Sequence, residues 1–230
     1  MTTDWIVLDI EGTTSATEAV HKGLYDYARP RLGLWIEAHA DGPQVKEALE
    51  QVRAETGAAT TAEVVAVLHR WMDGDVKATP LKTLQGQIWA AGFAAGELTS
   101  HFFADVPPAL ARWRAEGIRV AVFSSGSVAS QRPWFRHGDA GDLSAYVEDY
   151  FDTVNAGPKR EESSYRRIAE ALGAEPARTL FLSDVPAELD AAAAAGWRTV
   201  GVARPGEPNA TAGFGPHPVI DSFDRLEDHA

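Results

Sequence analysis

Four consecutive apolar residues, Trp5-Ile6-Val7-Leu8, run straight into Asp9-Ile10-Glu11-Gly12-Thr13, and this junction constrains the fold more than any other feature. So short an apolar run, closed by turn residues, reads as a buried strand. A strand tip sets its last carboxylate at the carboxyl edge of a sheet, where open α/β sheets take their ligands. Residues two apart on an extended segment face the same way, so Asp9 and Glu11 aim at one point if the chain stays extended. Gly12 lets the backbone turn away or approach a ligand closely.

The next convincing strand, Ile118 to Phe123, begins more than a hundred residues later. A strand–helix–strand crossover needs only about 30, and the surplus reads as helices. These are Glu18 to Ala28; a stretch from Pro43 to Glu55 closed by Gly57; one after Thr60-x-x-Glu63, which has capping-box spacing; and Leu81 to Gly96. A helical insertion is therefore expected at 15–104, placed to act as a lid, with the core made of 1–14 and 105–230. Gly92 and Gly96, four apart on one face, suit close helix packing, with substrate contact as the alternative.

From Pro107 onward strands and helices alternate. Helices are expected at Pro108 to Glu116, from Val128, at Arg160 to Leu172 and at Ala187 to Ala195. Strands are expected at Phe151 to Val154, Thr179 to Leu182, Arg198 to Val202 and Pro218 to Ile220. This alternation implies a doubly wound parallel sheet. The Pro- and Gly-rich segment 204–217 reads as a surface loop, and the last eight residues as loosely held.

Composition removes several function classes. The chain of 230 residues carries a net charge of −12 and no basic run, which makes nucleic acid and anionic membranes poor partners. Cysteine is absent, excluding disulfides, thiolate nucleophiles and Cys-ligated zinc. No pair of the seven histidines has the helical HExxH spacing of a zinc site. No leader or membrane span is expected, and a cytoplasmic location follows as the default.

Three more strand ends carry polar groups. Phe123 runs into Ser124-Ser125-Gly126-Ser127, which is either a phosphate cradle or a serine helix cap. Gly157-Pro158-Lys159-Arg160 places Lys159 near a helix N-terminus, where a cation opposes the helix dipole unless an anion lies close. Leu182 is followed by Ser183-Asp184, an acid or again a cap. Taken together, Asp9, Glu11 and Asp184 are hard oxygen ligands of the kind Mg²⁺ accepts, and Ser124 and Lys159 are suited to phosphoryl oxygens. Asp9 is then the nucleophile of an aspartyl-phosphate mechanism.

This ordered set of motifs resembles the haloacid dehalogenase (HAD) superfamily of phosphohydrolases over nearly the whole chain. Glu11, Leu84-Gln85-Gly86-Gln87-Ile88-Trp89, Gly92-Phe93-Ala94-Ala95-Gly96-Glu97-Leu98, Ser164-Tyr165 and Phe181-Leu182-Ser183-Asp184 resemble, within it, the enolase-phosphatases. The resemblance implies a HAD-like, Rossmann-like α/β core with an all-helical cap. It implies a Mg²⁺-dependent enzyme of methionine salvage that enolises and dephosphorylates 2,3-diketo-5-methylthiopentyl-1-phosphate to an acireductone. Asp9, Glu11 and Lys159 would be catalytic, Ser124, Ser125 and Lys159 would bind substrate, and Asp9, Glu11 and Asp184 would form the metal site. Its partner would be a small phosphorylated metabolite, and the chain a monomer; a HAD phosphatase for another such metabolite is the alternative. The chain departs from the family at His21 to Ala28, at Arg132, where lysine is usual, and at Ala90 and Ala91, where acids are common.

Overall fold

The structure, a computed structural model, describes residues 2–74, 76 and 78–228. Two compact units emerge: Met1–Val20 with Ser100–Ala230, and His21–Thr99. These limits fall a few residues inside the segment expected to be inserted.

In the first unit six parallel strands stand in the order β3-β2-β1-β4-β5-β6. They are β1 (Trp5–Leu8), β2 (Arg119–Phe123), β3 (Asp149–Phe151), β4 (Thr179–Ser183), β5 (Arg198–Val202) and β6 (Val219–Ile220). The chain builds outward from β1 through β2 to β3, then returns to lay β4 on β1's other side. The strand order therefore reverses at β1/β4, and a crevice opens there beyond the carboxyl ends. Register brings the tips level, since Leu8 lies opposite both Val122 and Leu182. The ladder continues one residue further, with Asp9 N–H donating to Leu182 O at 3.0 Å and Ser124 N–H to Phe151 O at 3.1 Å.

The flanking helices are α6 (Val106–Ala115), α7 (Val128–Arg136), α8 (Glu162–Leu172) and α9 (Pro186–Ala194). The fully buried Tyr165 of α8 is a hub of the core. Its ring meets Phe123, Phe181 and Trp197 edge-on at 5.5, 5.2 and 5.4 Å, and its hydroxyl donates to the Lys159 carbonyl at 2.7 Å. Packing of the sheet thereby fixes the backbone that carries Lys159.

Helix α1 (Thr17–Ala28) leads into the second unit, which holds α2 (Leu32–Ala38), α3 (Pro43–Thr56), α4 (Thr61–Asp73) and α5 (Thr79–Ala94). Leu32, Val52, Val64, Leu68, Leu84 and Ile88 form its core. Gly57 ends α3 at φ 74°, and Thr60 and Glu63 form the expected capping box. Gly92 serves packing, since a Cβ there would stand 2.7 Å from the Tyr27 ring, whereas Gly96 lies beyond the end of α5 at φ 70° with open space at its Cβ position. Among the described residues no helix is long and apolar enough to cross a membrane.

One helix was not expected, and three local expectations need correction. Helix α2 lies beyond Pro30, which falls in a short 3₁₀ turn where a missing N–H costs nothing and the helix resumes. Strand β3 ends at Phe151 because the Asp152 carboxylate accepts the N–H groups of Val154 and Asn155 at 2.8 and 3.0 Å, which turns the chain. Segment 204–217 is not wholly at the surface, since Arg204, Phe214 and His217 are buried. The chain end is held through residue 228 by a 3₁₀ turn that buries Phe223 and Leu226.

Candidate active site

The loop after β1 is wound tightly by its own backbone. The N–H groups of Thr13, Thr14 and Ser15 all approach Ile10 O, at 3.2, 2.9 and 2.9 Å, and Thr14 Oγ1 donates to Asp9 O at 3.1 Å. Gly12 adopts φ 69°, and a Cβ there would lie 2.2 Å from Asp184 Oδ2. Only glycine lets this loop lie against the acid that follows β4. Thr13 Oγ1 completes the join by accepting the Asp184 N–H at 3.0 Å.

A cavity of about 180 Å³ opens at these tips, and Asp9, Glu11, Ser124, Ser125, Lys159, Asp184 and Glu188 are on its wall. All six residues expected from the sequence therefore share one cavity. Asp9, Asp184 and Lys159 are 5, 4 and 6% exposed. Glu11 differs: it lines the cavity with an exposed side chain. Ser127, not Ser124, caps α7, taking the Ser130 N–H at 3.3 Å. Ser124 and Ser125 are thus left at the cavity. Asp184 is not a helix cap either, since Val185 holds that position.

Lys159 Nζ lies 2.6 Å from both Asp9 Oδ1 and Glu188 Oε2. Burial alone would lower its pKa, but the two carboxylates more than compensate and hold it above the usual lysine value. Ser183 Oγ lies 3.2 Å from Asp9 Oδ2 and 3.0 Å from Glu188 Oε2, and its single proton serves one of them at a time. Burial, then the charge of Asp9, push Asp184 up to about 7, against the donation of Asn209 and the charge of Lys159. Burial and Asp9 likewise raise Glu188, opposed by Lys159. One ammonium thus faces three buried carboxylates, and the site carries excess negative charge.

A family model described as haloacid dehalogenase-like hydrolase matches residues 3–196. The enolase-phosphatase E1 of Saccharopolyspora erythraea is 61% identical over 227 residues, covering 97% of this chain and 95% of that one. That of Frankia alni is 57% identical over 219 residues, covering 94% and 92%. The chain belongs to the enolase-phosphatase E1 family of haloacid dehalogenase-like hydrolases. Among solved structures, the UTR4 protein of Saccharomyces cerevisiae superposes with a TM-score of 0.81 at 31% identity, covering 98% of this chain and all of that one.

Haloacid dehalogenase-like hydrolases and enolase-phosphatases are generally Mg²⁺-dependent. Among the described residues no three acid or histidine side chains converge into a cation cluster. The donor set nevertheless fits a hard cation: burial, then the neighbouring charge of Asp9, lift the Asp184 carboxyl to about 7, and a divalent ion between the two carboxylates would offset both costs.

Sequence reasoning overlooked Glu188 and Asn209, and it named Ser183 and Thr13 only as neighbours of the two acids. Glu188 looks like an ordinary acid in the first turn of a helix, and its spacing of four from Asp184 was the available signal. Asn209, within a Pro- and Gly-rich stretch, offers no local signal at all.

Proposed function

We propose that this enolase-phosphatase enolises 2,3-diketo-5-methylthiopentyl-1-phosphate and then hydrolyses its phosphate ester to give the acireductone of methionine salvage. The observation that carries this is 61% identity to an enolase-phosphatase E1 over 97% of the chain, together with the nucleophile, hydroxyls and ammonium on one cavity wall.

In this reading Asp9, Glu11 and Asp184 would hold Mg²⁺, which when bound would supply positive charge to offset the charge that develops on the substrate. Lys159 exchanges its contact with Asp9 Oδ1 for a phosphoryl oxygen and stays anchored by Glu188, so the nucleophile is released as the substrate is gripped. Ser124 and Ser125 donate to the other phosphoryl oxygens. Enolisation moves the proton on the carbon beside the carbonyl to a base, for which Glu11 is the candidate because its exposed side chain faces the cavity.

An Asp9 carboxylate oxygen then attacks phosphorus as the bond to the substrate oxygen breaks, and Glu11 protonates the leaving oxygen. Water attacks the aspartyl-phosphate, Glu11 takes its proton, and inorganic phosphate departs with Asp9 restored; the proton on Glu11 then passes to the enolate oxygen, which gives the enediol and returns Glu11 to its carboxylate. The helical unit His21–Thr99 is read as the cap and the chain as a monomer.

The test is turnover of the diketo ester, with enediol absorbance and released phosphate followed together, with and without EDTA. Both signals should rise and both should vanish in EDTA. Phosphate release from generic monoesters, with no enediol from the diketo compound, would overturn the substrate assignment in favour of another small phosphorylated metabolite.

A further inference from the structure

Between β5 and β6 the chain passes the sheet edge where Asp9 and Asp184 stand, and three of its side chains each fasten a different part of the site. Arg204, 4% exposed, donates from Nε to Thr13 O at 3.1 Å and from Nη1 to Asp105 Oδ2 at 2.6 Å. Its guanidinium lies over Phe103 and Phe223, 4.5 and 4.7 Å from the ring centroids. Glu207 Oε2 accepts the N–H of Thr17, the first residue of α1, at 2.9 Å. Asn209 Nδ2 donates to Asp184 Oδ2 at 2.8 Å.

Thr13 closes the circuit. Its carbonyl is held by Arg204, while its hydroxyl takes the backbone N–H of Asp184. Asp184 is thus tied to this segment twice, at its backbone through Thr13 and at its carboxylate through Asn209. The terminal torsion of an aspartate is broad and nearly two-fold, so a carboxylate without such ties presents its oxygens in many orientations. Here Oδ2 is trapped between Gly12 and the Asn209 amide.

We propose that Arg204–Asn209 is a positioning strap, and that Asn209 sets the orientation in which Asp184 meets a divalent cation. The inference rests on the reading of Asp184 as part of the metal site. Asn209 does not touch the reacting atoms; it acts through Asp184. Outer-shell partners of this kind change metal affinity or activity by about 10- to 100-fold when removed.

Calorimetric titration of EDTA-stripped protein with MgCl₂ tests this, with thermal melting in EDTA as a control for folding. Asn209→Ala should raise the Mg²⁺ Kd about tenfold while still melting in EDTA as one cooperative transition, lowered only by the loss of one hydrogen bond. Turnover should recover as MgCl₂ is raised. Asn209→Ser, which keeps a short donor, should recover part of the affinity. An Mg²⁺ Kd in Asn209→Ala equal to wild type would overturn the strap and leave the metal-site reading standing. Equal losses in both variants without a cooperative transition would assign the effect to folding and also overturn it. A wild-type protein that takes up no Mg²⁺ at millimolar concentration would overturn the metal site itself, and the strap with it.

Discussion

Replacing Asp184 by asparagine should stabilise the metal-free protein while abolishing its activity. Burial and the neighbouring Asp9 charge raise the Asp184 carboxyl from 3.8 to about 7. Because the folded pKa lies above the unfolded one, the folded state binds the proton more tightly, and ionisation is a cost to folding. That cost is absent below about pH 4, grows between pH 4 and 7, and is complete above 7. Three units at 1.36 kcal/mol each amount to about 4 kcal/mol.

An amide of the same shape removes the charge and still accepts from Asn209. Asp184→Asn in EDTA at pH 8 should therefore gain about 3 kcal/mol, roughly 6–12 °C in Tm for a chain of this size. At pH 5 the gain should fall to about half, since wild-type Asp184 is then largely protonated in the folded state. Millimolar MgCl₂ should narrow or reverse the difference, because a ligand bound only by the folded wild type stabilises it by mass action. Differential scanning fluorimetry across pH, with and without MgCl₂, measures all of this. A variant that melts at or below wild type in EDTA at pH 8, or whose advantage does not shrink at pH 5, would refute the like-charge reasoning.

Asp9→Asn should lower turnover by about 10⁵-fold, the scale on which covalent nucleophiles act, and stopped assays of phosphate release check it. Near-normal activity would remove Asp9 as nucleophile. Lys159→Met leaves Asp9 and Glu188 buried without their shared counter-charge, so urea unfolding should show a loss of about 3–5 kcal/mol, part of it recovered by adding Glu188→Gln. Gly92→Ala drives a methyl to within 2.7 Å of the Tyr27 ring and should cost about 1–3 kcal/mol by overpacking, read as a lower urea midpoint.

Much of the secondary structure was legible because it is governed by neighbours in sequence. The Thr60–Glu63 capping box and the closure of α3 at Gly57 rest on contacts spanning four residues or fewer. Strands β1, β4 and β5 were legible because each is a short apolar run bounded by turn residues. Where a local rule pointed the wrong way, a local detail had been outweighed. Asp152 turns a chain whose apolar residues read as strand.

The site divides along the same line. By itself the sequence determined which chemical groups end the strands, because an apolar run followed by an acid or hydroxyl is a one-dimensional pattern. Asp9, Ser124 and Asp184 needed nothing more, and Lys159 only the helix beside it. Tertiary structure alone decided which groups those residues answer to. Strand order set β4 beside β1 and so brought Asp184 against Gly12. The shared salt bridge from Lys159 to Glu188, the amide of Asn209 on Asp184 and the guanidinium of Arg204 on Thr13 follow from that placement. A hydrogen bond or an ion pair selects its partner by distance through space. Residues 25 and 191 positions apart become partners only after the sheet has ordered its strands.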